Sequence, residues 1–104
     1  EIQKPSTTGS YSLIPIAYGR VDFDGSIISA TSNVSVTRVS QGVYDIVVSG
    51  VTSSCTIIAY GGETTTATYF TTNTCRVTNH KDLYDGNETI ERTDTDFYFI
   101  IFQP

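Results

Sequence analysis

The amino-acid sequence predicts an all-β domain, an antiparallel β-sandwich of about eight or nine short strands. Three observations carry that reading. Hydrophobic residues make up 38% of the 104-residue chain and charged residues only 16%, with Thr and Ser filling much of the rest. A chain rich in Thr, Tyr and Val and poor in Lys, Glu and Leu favours strands over helices. No window places apolar residues at helical spacing, and turn residues interrupt short apolar runs about every ten residues, the rhythm of a sandwich or barrel.

Each element follows in order. Residues 1–12, with Pro5-Ser6-Thr7-Thr8-Gly9-Ser10, read as a connector from an upstream segment, and 13–104 as the sandwich. The chain holds no Met, which predicts a mature product or a piece of a longer polypeptide. Residues 14–23 form the first strand, with Pro15 tolerated at a strand start or edge. Asp24-Gly25 is a hairpin turn, and Ser26 to Thr31 returns with Ile27 and Ile28 as its apolar weight. Thr31-Ser32-Asn33 turns the chain again. Val34-Ser35-Val36-Thr37 alternates, valines inward and hydroxyls outward.

Gln41-Gly42 closes the clearest hairpin, because Val43 to Ser49 then sets Tyr44, Ile46 and Val48 on one face. Gly50 to Ser54 is a loop. Cys55 to Tyr60 is a strand, broken by Gly61-Gly62-Glu63. Thr66 to Thr71 and Thr74 to Thr78 are strands joined at Thr72-Asn73. Residues 79–87 form the longest polar connection, Glu88 to Arg92 a short edge strand, and Asp96 to Phe102 the last strand.

That last strand is apolar on both faces. Phe97, Phe99 and Ile101 point one way; Tyr98, Ile100 and Phe102 point the other. Residues 14–18 and 55–60 share the property. A sandwich needs one apolar face per strand, so the second calls for a cover, and in a chain this short the expected cover is another copy of itself. Tyr98, Ile100 and Phe102 are therefore the expected oligomer interface.

The formal net charge is −5, and residues 80–96 concentrate it, with six acids against Lys81 and Arg92. That balance argues against nucleic-acid partners, which need clustered Lys and Arg. No apolar run approaches the roughly 20 residues of a membrane-spanning helix, so no membrane insertion is expected. The sequence carries no P-loop, no dinucleotide fingerprint and no nucleophile elbow, and no enzymatic activity, cofactor or metal is expected. Asp22-Phe23-Asp24-Gly25 resembles part of a calcium loop, but calcium takes six to eight oxygens and turn chemistry accounts for these residues. Cys55, Cys75 and His80 lack the short ligand spacing of structural zinc sites. If 55–60, 66–71 and 74–79 form a simple meander, the two cysteines stand two strands apart, about 10 Å, too far to bridge.

Tyrosines remain as contact candidates, since sugars bind flat aromatic faces beside polar groups. Tyr60 and Glu63 flank the Gly61-Gly62 break, Tyr69 lies on a Thr-rich strand, and Tyr84 sits among Asp82, Asp85 and Asn87. These seven are the expected ligand-binding residues, mostly in loops, where binding groups concentrate. Tyr18 and Tyr44 read as core.

The order Ile14-Pro15-Ile16-Ala17-Tyr18-Gly19, Asp24-Gly25-Ser26-Ile27, Asn33-Val34-Ser35-Val36-Thr37-Arg38, Gly42-Val43-Tyr44-Asp45-Ile46 and Phe97-Tyr98-Phe99-Ile100-Ile101 resembles a C-terminal module of phage tail-fibre and tail-fibre-like adhesin proteins of the flavobacterial type. The resemblance covers nearly the whole chain and is densest in 14–48 and 96–102. It implies a homotrimeric sandwich at a fibre tip, on a virion or cell surface, that recognises a cell-surface glycan or surface protein. It brings no catalytic residues. A structural trimer cap and a carbohydrate-binding accessory domain of a secreted protein are the alternatives.

Overall fold

The computed structural model describes residues 14–62, 64–81 and 91–103. Among these are nine strands and no helix: β1 (Pro15–Val21), β2 (Ile27–Ala30), β3 (Val34–Ser40), β4 (Val43–Val48), β5 (Thr56–Gly61), β6 (Thr64–Thr71), β7 (Thr74–Lys81), β8 (Glu91–Arg92) and β9 (Phe97–Phe102). They form two antiparallel sheets packed face to face. One sheet, here sheet A, runs β2-β1-β9-β5; the other, sheet B, runs β3-β4-β7-β6 with β8 added beside β7.

Local chemistry sets the turns. The Asp24 carboxylate accepts hydrogen bonds from the Ser26 N–H at 3.0 Å and its hydroxyl at 2.6 Å, an Asx turn that folds β2 back onto β1. The calcium-like fragment is thus committed to its own turn. Gln41-Gly42 joins β3 to β4 as the alternation predicts, pairing Val36 with Ile46 and Val34 with Val48. Asn73, with φ of 61°, turns β6 into β7; Asn tolerates this left-handed region better than most residues.

The core lies between the sheets. Ala17, Val21, Phe97, Phe99 and Ile101 from sheet A meet Tyr44, Ile46, Val48, Cys75 and Val77 from sheet B, all buried. The rings of Tyr44 and Phe97 stand 5.1 Å apart and tilted by 55°, within the range of favourable aromatic pairs. Val51 is buried as well, although its segment reads as loop in the sequence.

One end of the sandwich is closed by Asp94. Its carboxylate accepts from Arg38 at 2.8 and 3.1 Å, from the Gly42 N–H at 2.7 Å, and stands 3.1 Å from the Tyr44 hydroxyl. That hydroxyl also donates to the Phe23 carbonyl at 2.6 Å. Arg38 and then Gly42 hold the Asp94 carboxyl below its ordinary range. At the other end Pro15 pairs with Phe102, so the chain enters and leaves sheet A side by side.

Two expectations need correction. Strand β5 does not continue as a meander into β6 and β7; among the described residues it pairs only with β9, and the chain crosses to the other sheet after Gly61. Cys55 and Cys75 therefore face each other across the core, their sulfurs 4.0 Å apart, rather than lying about 10 Å apart along one sheet. Residues 79–81 belong to β7 rather than to a connection. Asn79 is fully buried, its backbone bonded to Gly42 and Thr93 and its side chain to Thr65.

Candidate binding face

The three strands that read as apolar on both faces are neighbours, β1, β9 and β5 in that order. Register turns their outward residues into cross-strand rows. Tyr18, Ile100 and Ile58 form one row, and Arg20, Tyr98 and Tyr60 the next. Tyr18 is 54% exposed, Ile58 55%, Tyr60 73% and Tyr98 50%, with Ile28 of β2 at 49% beside them. Together they bound a shallow groove of about 530 Å³. Tyr18 thus stands on the surface, not in the core as its apolar neighbours suggest. Phe102 and Ile100 are half-buried on this outer side, as the strand's alternation requires.

Polar groups occupy one margin. Arg20 lies over the Tyr98 ring at 5.2 Å and pairs with Asp96 at 3.0 Å. Asp96, and then Tyr98, raise its already high pKa. A smaller recess of about 240 Å³ lies between Arg20, Tyr60, Gly61, Gly62, Asp96 and Tyr98, and the Arg20 Nε is buried with no hydrogen-bond partner among the described residues.

The outer face of sheet B differs in kind. Arg76 grips Asp45 through two hydrogen bonds of 2.8 and 3.0 Å and stacks over Phe70 at 3.7 Å. Thr66 and Thr78 bond to each other through their hydroxyls. Threonines and paired charges suit a face turned to water. Val39, Val47 and Phe70 are exposed on sheet B, but the continuous apolar groove lies on sheet A, where outward apolar residues of β1, β9 and β5 stand in adjacent rows.

Of the expected ligand residues, the structure brings Tyr60 together with Tyr18 and Tyr98, two rings that no loop argument would have joined to it. Tyr69 lies on β6 with its side chain against the core, opposite Cys75, so it is not part of that surface. Glu63, Asp82, Tyr84, Asp85 and Asn87 lie outside the described residues. Each of the described carboxylates is committed to structure: Asp22 and Asp24 to their turn, Asp45, Asp94 and Asp96 to arginines, and Glu91 to Lys81. Among the described residues no three of His, Cys, Asp and Glu gather as a metal site, and no helix is long and apolar enough to cross a membrane. Compared with known protein families, curated sequences and solved structures, the chain finds no match.

Proposed function

We propose that this chain is a non-enzymatic recognition module of a fibre or adhesin, acting at a virion or cell surface. It self-associates, as a homotrimer, through the outer face of sheet A. The turns at the end opposite Pro15 and Phe102 then face a cell-surface glycan or protein. The observation that carries the reading is the continuity of the apolar face across β1, β9 and β5. Its composition is that of a protein interface: tyrosines, isoleucines and one arginine, with no Lys or Glu among the groove residues. The commitment of the described carboxylates to turns and ion pairs supports a binding role over acid–base catalysis.

The test is the solution mass by light scattering behind a sizing column at low micromolar concentration, for the wild type and for Ile58→Lys. A charge at an exposed edge-strand position leaves the fold intact and opposes a second apolar face. The expected result is three protomers for the wild type and one for the variant, with matching circular dichroism. A monomeric wild type overturns the assembly.

A second reading is favoured by the Arg20 margin. There the domain stays monomeric and the same face is a sugar platform, with Tyr60 and Tyr98 as stacking faces and Arg20 as hydrogen-bond donor. A monomer that binds polysaccharide, and loses it on Tyr60→Ala, selects that reading.

A further inference from the structure

We propose that Cys55 and Cys75 form an oxidisable pair that closes a disulfide between the two sheets when the folded protein meets a low-molecular-weight disulfide such as oxidised glutathione. Their sulfurs are 4.0 Å apart. A disulfide needs about 2.05 Å, so about 2 Å must be closed by rotating two short side chains. The residues come from opposite sheets. Cys55 immediately precedes β5, an edge strand of sheet A that pairs with β9. Cys75 lies on β7, between Ile46 of β4 and Tyr69 of β6.

The two thiols divide the chemistry. Cys75 is buried, whereas Cys55 is partly open to solvent. Burial first, and then the nearby Cys55, push the Cys75 thiol up to about 12, so it is a poor first nucleophile. Cys55 as thiolate attacks one sulfur of oxidised glutathione, forming a mixed disulfide and expelling one glutathione thiolate. Cys75 then loses its proton, and its sulfur attacks the Cys55 sulfur of the mixed disulfide. The second glutathione leaves as thiolate. Two protein thiols are oxidised, one small disulfide is reduced to two thiols, and the two protons pass to the released glutathiones.

The bridge ties an edge strand of sheet A to an inner strand of sheet B, near the end where Thr56 pairs with Phe102. Asp94 already closes the opposite end, so oxidation clamps the sandwich at both. The closed loop spans a separation of 20 residues, and its closure restricts the unfolded chain.

The experiment incubates the folded chain with oxidised or reduced glutathione and follows intact mass, peptide mapping under non-reducing conditions, and thermal melting. The expected product has lost two hydrogens, retains no glutathione, and melts on the order of 10 °C higher, reversibly on reduction. Cys55→Ser, at the partly exposed position, should fold and show neither the mass change nor the shift. A persistent glutathione adduct on Cys55 beside a free Cys75, or two thiols untouched by prolonged exposure, would overturn the proposal.

Discussion

Replacing Asp94 with alanine tests how the end of the sandwich is closed. The carboxylate accepts the Gly42 N–H at 2.7 Å, and Gly42 is buried. Removing it leaves a buried donor without a partner, which costs about 1–3 kcal/mol. The Arg38 pair is solvent-exposed and adds little. Tyr44 keeps its bond to the Phe23 carbonyl. The expected loss is therefore about 2 kcal/mol, roughly a thirtyfold fall in the ratio of folded to unfolded chains. Asp94→Asn retains an acceptor oxygen and should lose about half as much. The assay is urea unfolding followed by tyrosine fluorescence, since the chain has seven tyrosines and no tryptophan. Protein concentration is held fixed, because self-association, where it occurs, would add to the apparent stability. The sign with pH is also set. Asp94 titrates below its ordinary value of 3.8 when folded, so its contribution is present above that value and is lost as pH falls through the lowered one. The difference between wild type and Asp94→Ala should accordingly shrink in acid. An alanine variant within about 0.5 kcal/mol of wild type at neutral pH would refute this account, since that is the scatter of surface substitutions. So would an asparagine variant as damaged as the alanine.

Three further single substitutions have defined outcomes. At Gly42, φ is +73° and an added Cβ would stand 2.6 Å from the Asn79 carbonyl oxygen and 2.8 Å from the Thr93 nitrogen. At Gly50, φ is +92° in open space. Gly50→Ala should cost about 1 kcal/mol for backbone strain alone, and Gly42→Ala clearly more, measured as urea midpoints at equal slope. Burial first, and then Asp94, raise Tyr44 from 10.0 to about 12. Because the unfolded chain gives up that proton first, the stability Tyr44 contributes is full below pH 10 and declines between 10 and about 12. Tyr44→Phe should show a shallower decline over that window in alkaline unfolding curves.

The hairpin of β3 and β4 is legible because its signals are local: valines alternate with hydroxyls, a Gly completes the turn, and Tyr44, Ile46 and Val48 repeat at the strand period. The two-faced character of β9 is legible for the same reason. What adjacent residues do not encode is which strands share a sheet. Three doubly apolar segments far apart in sequence become neighbours only when β9 inserts between β1 and β5. Tyr18 reads as core because Ile16 and Ala17 precede it, leaving the parity of that run open. A register shift between Pro15 and Ala17 sets Ala17 inward and Tyr18 outward. Asn79 reads as loop because it is polar and opens a polar stretch. Yet the inward alternation of Cys75 and Val77, carried one step further, lands on it. Its partners come from Gly42, Thr65 and Thr93, so only the folded chain supplies the bonds that make its burial tolerable. The face formed by Tyr18, Tyr60 and Tyr98 was hidden in the same way, since each ring is contributed by a different strand.

The pairing of Pro15 with Phe102 has a mechanical consequence. Tension between the two segments that leave these residues would peel β1 from β9 one hydrogen-bonded pair after another, the direction in which a sheet yields most easily. A load that enters through β1 alone and is resisted at the Asp94 end pulls along the strands instead. The hydrogen bonds of β1 to β2 and β9 then share the shear together. Anchored at one segment and gripped at the far turns, the sandwich would carry force along its strong axis.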